Sequence, residues 1–501
     1  MFRILRNLTT GLFNLNRRSD NAQKYPYNPS NYMFRSILVA ISIFTLTLSG
    51  CQKPASIEWI TTTASAPWTK NEVTIREAPG MADVQVFPDK ELQTIEGFGS
   101  CFNELGWTSL NVLKEDDRES IMRELFSPGV GANFTVCRMP VGANDFALNW
   151  YSYDETEADF AMQDFSVEND RKTLIPFIKN ALKYNPGLKI WASPWSPPTW
   201  MKYNKHYASR SSKNNDLPVE REGREGSDMF IQEDAYLKAY ALYFQRFIEA
   251  YRKEDIGIFM VMPQNEFNSA QIFPSCCWTA KGLARFIGNY LGPAMEEIGV
   301  EIYFGTMERP SEALVDTVLQ DDLSSKYIKG IGFQWAGKDA LPGLNKKYPR
   351  MELYQTEQEC GDGKNDWTGA MHSWELMKHY LNNGVSVYEY WNTSLLEGGI
   401  SRWGWAQNSL VVVDKDTRDY RYTLEYYVMK HASHYVIPGA KRIETNGTYD
   451  DLLAFKNPDN SVVLIIANQE DEPRTVHLKI GDSGISPELE PHSLHTLRIS
   501  M

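Results

Sequence analysis

Eight short apolar runs recur between residues 95 and 390, each followed by helical or long loop sequence. They lie near Ile95–Phe98, Phe134–Arg138, Lys189–Ser193, Phe259–Met262, Glu301–Gly305, Gly330–Gln334, Glu352–Thr356 and Val385–Tyr390. Between them, Asp234 to Tyr251, Ala280 to Ile298 and Ser311 to Leu319 set apolar residues at helical spacing. Short apolar runs without polar alternation read as strands buried on both faces. Strands alternating with helices argue for parallel βαβ units. Eight such units over about 300 residues fit a (β/α)8 barrel with insertions.

The pattern changes after Tyr426–Ser433. Leu452–Phe455, Val462–Ala467, Thr475–Ile480 and His495–Ile499 are short, and Asn446-Gly447, Asn457-Pro458 and Gly481-Asp482 supply turns between them. That is an antiparallel β domain. Ile57–Thr62 and Val84–Phe87 are strand-like runs that precede the barrel and lack partners of their own. They are expected to join the C-terminal sheet. The expected fold is α/β, a (β/α)8 TIM barrel over 91–433. A β-sandwich formed from both termini, 52–90 and 434–501, is appended to it.

The amino terminus reads as a targeting segment over residues 1–50. Met33-Phe34-Arg35 opens a basic stretch, and Ile37 to Leu48 is an apolar run of about a dozen residues, short for a bilayer span. Leu48-Ser49-Gly50-Cys51 follows, small residues of the kind that end a secretory signal. Cys51 resembles the lipidated cysteine of the bacterial lipobox. The expected location is then a bacterial cell envelope, periplasmic or outer-membrane surface, with attachment by lipid rather than by a spanning helix. An ordinary signal with an incidental cysteine is the alternative.

A net charge of -13, spread along the chain, disfavours a nucleic-acid partner. The 14 Trp and 26 Tyr serve a core, and they also suit the flat, amphipathic faces of sugar rings. The six cysteines show no metal-ligand spacing, and His431 and His434 have no further ligand candidate nearby. No metal and no cofactor are expected. Cys276, Cys277 and Cys360 fall on loops after the fourth and seventh runs. One of the pair could bridge to Cys360, or all three could be free thiols. Met201 to Met229 is a long polar segment, either a selectivity loop or a surface excursion.

In such barrels chemistry sits at the C-terminal ends of the strands. The fourth run ends in Gln264-Asn265-Glu266, and the seventh ends in Glu357. Two carboxylates facing each other across a barrel mouth are the apparatus of glycoside hydrolysis, one acid/base and one nucleophile. Retention or inversion depends on their separation, which a sequence does not give. Carboxylates that merely cap helices are the structural alternative. Glu359 lies two residues beyond Glu357; Glu357 is preferred because it follows the apolar strand directly.

Several ordered stretches resemble glycoside hydrolase family 30, the group that includes lysosomal glucosylceramidase and bacterial and fungal β-glycosidases. They are Ile95-Glu96-Gly97-Phe98-Gly99-Ser100-Cys101-Phe102-Asn103-Glu104, Arg138-Met139-Pro140-Val141-Gly142-Ala143-Asn144-Asp145-Phe146, Ala192-Ser193-Pro194-Trp195-Ser196-Pro197-Pro198-Thr199-Trp200-Met201-Lys202, Gln264-Asn265-Glu266, Thr356-Glu357 and Tyr390-Trp391-Asn392. The resemblance runs from about residue 90 to the end. It implies a (β/α)8 barrel fused to a β-sandwich built from both termini.

The resemblance also implies roles. Glu266 would be the general acid/base and Glu357 the nucleophile of a retaining double displacement. Asn265 would bind the sugar 2-hydroxyl. Asp145 and Trp195 would hold other hydroxyls, Trp391 would flank the ring, and Arg138 would sit near Glu357 and also contact the substrate. Phe267 stands where relatives often carry Pro. Gln334-Trp335 stands where a His is common after the sixth strand, and Trp335 is assigned to substrate contact. The expected activity is a retaining β-glycosidase on β-glucosidic linkages. Its substrate would be a β-1,6-glucan or a glucosylceramide-like β-glucoside. Alternatives are a non-catalytic carbohydrate-binding surface lipoprotein on the same fold, an attachment protein whose aromatics are only core, or the same chemistry on a β-xyloside or β-fucoside.

Overall fold

The computed structural model describes residues 56–500 apart from 74, 75, 78 and 79. The targeting segment and Cys51 lie outside the described residues.

Eight strands close into a parallel barrel. They are β1 (Gly97–Cys101), β2 (Val136–Pro140), β3 (Lys189–Ser193), β4 (Ile258–Val261), β5 (Glu301–Met307), β6 (Ile328–Gln334), β7 (Glu352–Glu357) and β8 (Val387–Asn392). Each pairs with its sequence neighbours, and β8 returns to β1. Val136, Trp191, Met260, Met262, Tyr303, Tyr354 and Val387 pack together inside the barrel as a plug. The polar strand ends lie beyond this plug. Gly99 has a steric reason: a Cβ there would stand 1.5 Å from the Val136 carbonyl oxygen.

The strand bounds differ from the sequence reading by a few residues. β1, β2 and β8 end later than their apolar runs because the ladder continues through Cys101, Pro140 and Asn392, which are also buried. β5 runs to Met307 rather than Gly305. The helix expected over Ala280 to Ile298 is interrupted by a wider turn at Ile287–Leu291. Pro293 follows, a residue that cannot donate to the helical ladder. A small three-stranded sheet, Ser394–Leu396, Val411–Val413 and Tyr420–Tyr422, follows β8 and was not legible as such. Its first connection brings Trp405 and Gln407 to the barrel mouth.

The second body is a ten-stranded sheet drawn from both ends of the chain. Ser56–Thr63 pairs antiparallel with Ser493–Ser500, and Val84–Thr94 pairs antiparallel with Lys441–Gly447. The latter strand runs past its apolar start because the ladder carries its polar half, with exposed side chains, to Thr94. Val462–Asn468 shows how the sheet divides its faces. Val462, Leu464 and Ile466 enter the sandwich core, whereas Val463, Ile465 and Ala467 join the barrel's core. Buried His431, on the helix Leu424–Ser433, bonds to Thr62 and Thr496 at 2.8 Å each. It ties barrel to sandwich.

Candidate active site

A cavity opens at the C-terminal ends of the barrel strands, lined by Asp145, Trp195, Glu266, Gln271, Phe273, Glu308, Trp335, Glu357, Trp405 and Gln407. Glu266 follows β4, with its backbone held at a φ of 48°. That left-handed turn is fixed by its N–H, which donates to Thr306 Oγ1 at 2.9 Å. Glu357 is the last residue of β7.

One side chain joins the two. Gln334 Nε2 donates to Glu266 Oε1 at 3.1 Å and to Glu357 Oε2 at 3.1 Å. Gln334 Oε1 accepts from Arg138 Nη1 at 3.3 Å and from Thr356 Oγ1 at 3.0 Å, so the amide has a single orientation. Two oxygens that share one nitrogen on N–H bonds about 120° apart stand roughly 5.4 Å from one another, and cannot exceed about 6.2 Å.

The environments of the two carboxyls differ. Glu357 Oε2 also accepts from Arg138 Nη1 at 2.9 Å, and its Oε1 from Trp335 Nε1 at 3.2 Å. Glu266 Oε2 accepts only the neutral Gln271 amide, at 3.0 Å. Burial raises both carboxyls above their ordinary range. Glu266 goes well above it, pushed further by Glu357, Glu308 and Asp145. Arg138, Trp335 and Gln334 oppose the rise at Glu357. Of the pair, Glu357 is the one that loses its proton first.

Arg138 is fully buried, and its donors are engaged within the protein. Nη1 also reaches the Thr356 carbonyl at 3.0 Å, and Nη2 reaches Asn265 Oδ1 at 2.6 Å and Ser193 Oγ at 2.9 Å. Its guanidinium lies 4.3 Å from the Trp195 ring centre. Arg138 does not line the cavity; it positions Glu357 and Asn265 rather than offering donors to a sugar. Asn265 Oδ1 is shared by Arg138 and Thr306, which leaves Nδ2 as its donor to a ligand.

Trp195 lines the cavity and stacks on Trp391 at 5.1 Å. Trp391 stands behind it, so it backs the wall instead of forming it. The Trp391 indole N–H lies near the Asp145 carboxyl but makes no hydrogen bond of normal geometry, and Asp145 Oδ1 is buried without a partner. Unpaired polar atoms at this depth are what ligand hydroxyls would satisfy. Burial and the Glu357 charge lift the Asp145 carboxyl well above its usual range.

Other residues singled out by sequence fall outside the cavity. Glu359 pairs with Lys338 at 2.7 Å and His372 at 3.1 Å. Cys276, Cys277 and Cys360 are free buried thiols, so no disulfide joins the two loops. Phe267 packs against Phe304 at 5.0 Å, an apolar plug behind the Glu266 turn. Residues 201–229 do not line the cavity and are not a free excursion. Buried Lys202 donates to the Tyr207 carbonyl at 2.7 Å and the Ser275 carbonyl at 2.6 Å, pinning this segment to the loop that carries Phe273. Gln271, Phe273, Glu308, Trp405 and Gln407 were missed. Only Glu308 carried a signal, as the polar residue directly after a barrel strand.

The chain matches the glycosyl hydrolase family 30 TIM-barrel domain over residues 95–436 and the family's beta sandwich domain over residues 439–497. It is 30% identical to putative glucosylceramidase 1 of Caenorhabditis elegans, over 79% of this chain and 78% of that protein. It is 27% identical to endo-1,6-beta-D-glucanase neg1 of Aspergillus fumigatus, over 79% of this chain and 83% of that one. Among solved structures, SrfJ from Salmonella typhimurium superposes with a TM-score of 0.79 at 25% identity, covering 88% of this chain and 99% of that one. The chain belongs to glycosyl hydrolase family 30 and is a glycoside hydrolase.

Proposed function

We propose that this glycoside hydrolase cleaves β-glucosidic linkages with retention, by double displacement on Glu357 and Glu266. The observation that carries the reading is the Gln334 amide shared by both carboxylates. It holds one oxygen of each about 5.4 Å apart, which supports the close pair of a retaining enzyme over the wider inverting arrangement with its intervening water.

In the first step Glu357, held by Arg138, attacks the anomeric carbon. Protonated Glu266 gives its proton to the departing glycosidic oxygen. An ester to Glu357 results, and the leaving group departs as a neutral alcohol. Glu357 then carries no charge, so one of the effects raising Glu266 is gone. Glu266, now ionised, becomes the base that the second step needs. It takes a proton from water, the hydroxide attacks the anomeric carbon, and Glu357 leaves as carboxylate. Two inversions give net retention. Asn265 would hold the 2-hydroxyl, and Asp145 the remote hydroxyls, over the Trp195 face.

The relatives' names, a putative glucosylceramidase and an endo-1,6-beta-D-glucanase, support a β-glucosyl substrate. Of the two, a β-1,6-linked glucan is the substrate proposed. The test is nuclear magnetic resonance of the first-formed sugar from an aryl β-glucoside, followed by product profiles on β-1,6-glucan and on glucosylceramide. A β-anomer that later mutarotates is expected, and an α-anomer formed first overturns retention. Turnover of glucosylceramide but not of the glucan overturns the substrate assignment. We also propose a lipid anchor at Cys51, supported by Leu48-Ser49-Gly50-Cys51. Fatty-acid labelling of the wild type that persists in Cys51→Ala would contradict it.

A further inference from the structure

The cavity holds one carboxylate that the two-glutamate chemistry does not use. Glu308 directly follows β5 and is 6% exposed. Thr306, two residues earlier on the same face of that strand, holds the Glu266 backbone. The backbone N–H groups of Glu308 and Arg309 both donate to Asn268 Oδ1 at 3.2 Å, and Asn268 Nδ2 donates to the Arg309 carbonyl at 2.9 Å. The end of β5 is therefore stapled to the loop that carries Glu266.

Within that frame one oxygen of Glu308 is used and the other is not. Arg309 Nη1 donates to Oε1 at 2.7 Å. Oε2 is buried and accepts no hydrogen bond. The Ser269 hydroxyl lies near the carboxyl but makes no bond of normal geometry to it. A buried carboxylate oxygen without a well-placed donor is costly, and an O–H or N–H from a ligand would relieve it. The cavity is where such a donor would come from, since Glu308 lines it beside Glu266, Gln271 and Phe273.

The side of the cavity matters. Asp145 follows β2, and its principal charged neighbour is Glu357. Glu308 follows β5, next to β4, and bears on Glu266 more strongly than Asp145 does. Asp145 thus belongs to the sugar that Glu357 would attack, and Glu308 to the group whose oxygen Glu266 would protonate. Phe273 and Trp405, edge to face at 5.1 Å, give the same cavity an apolar wall. A carboxylate acceptor beside an aromatic face is the pairing that binds a sugar ring.

We propose that Glu308 reads a hydroxyl of the leaving group, and that this subsite is built for a second sugar rather than an alkyl or lipid alcohol. The proposal rests on the assignment of Glu266 as acid/base, and it favours glycan over glycolipid. Glu308 is then a specificity-determining residue: its Oε2 accepts the hydroxyl, and Arg309 and Asn268 hold it in place.

The test is acceptor partitioning. An aryl β-glucoside loads the enzyme, and glucose or methanol then competes with water for the glycosyl-enzyme. Every acceptor uses the same Glu266 base, so a changed Glu266 pKa cancels in the ratio of transfer to hydrolysis. For Glu308→Gln the glucose transfer ratio is expected to fall tenfold or more, with the methanol ratio within twofold of wild type. Glu308→Asp, which keeps the carboxylate and the fold but shortens its reach, is expected to fall between. A glucose ratio unchanged in both variants overturns the proposal. So does an equal fall for both acceptors, or a wild type that releases the aryl group yet makes no disaccharide. No aryl release at all would instead count against the glycosidase reading itself.

Discussion

Gln334→Leu isolates the residue that joins the two carboxylates. The substitution keeps the approximate volume and removes both donors. It deletes one hydrogen bond to Glu266 and one to Glu357, each 3.1 Å. The second is to an ionised carboxylate, and such bonds are worth about 1.5–3 kcal/mol net. A loss of about 2–3 kcal/mol in transition-state stabilisation is a fall of roughly 30- to 150-fold in kcat/KM. The pH profile carries the sharper signature. Gln334 lowers both carboxyls by donating to their charged forms. Without it both ionise at higher pH. The acidic limb of kcat/KM, set by Glu357, and the alkaline limb, set by Glu266, therefore both move to higher pH. Initial rates on an aryl β-glucoside across pH, with circular dichroism as a fold check, measure this. A folded variant with wild-type kcat/KM, or with lower activity and unmoved limbs, would refute the shared-amide reasoning.

Glu266→Ala is expected to lose roughly 10²- to 10⁴-fold on a sugar leaving group, with less loss on an activated aryl group. Added azide should restore turnover and give a β-glycosyl azide; an α product would count against the acid/base role. Arg138→Met leaves buried Glu357 without its cation, so urea unfolding should show about 3–5 kcal/mol of lost stability. Gly99→Ala drives a methyl into the Val136 carbonyl and should cost roughly 3 kcal/mol or more, read the same way. Asp170 accepts from Tyr151, Tyr153 and Tyr251 at 2.6–2.8 Å, and burial lifts its carboxyl from 3.8 to about 6. The folded protein keeps a proton there that the unfolded chain has released, so stability falls as pH rises through that window, by up to about 3 kcal/mol. Asp170→Asn should remove that contribution to the slope between pH 4 and 6.

The barrel was legible because strands buried on both faces leave apolar runs, and helices between them leave a different period. Strand ends were less legible. β5 continues through Thr306 and Met307, so the reading that stopped at Gly305 also missed Glu308. Glu266 and Glu357 stood out as polar residues ending apolar strands. Gln334 was visible for the same reason, but its part in joining them was not, since it depends on contacts across 68 and 23 residues. Arg138 looked like a ligand-facing cation, and only the contact geometry shows its donors already spent. Trp405 and Gln407 could not be found from periodicity. They sit on a connection whose course is set by a small sheet formed after β8.

The central claim is that Glu357 forms a covalent glycosyl-enzyme. A 2-deoxy-2-fluoro-β-glucosyl fluoride slows both steps but leaves a good leaving group, so the ester should accumulate. Intact mass should rise by one fluoroglucosyl unit, and peptide mapping should place it on Glu357, with none formed in Glu357→Gln. A label on Glu359, or turnover of the parent glucoside with no label at all and an α-anomer as first product, would contradict the account.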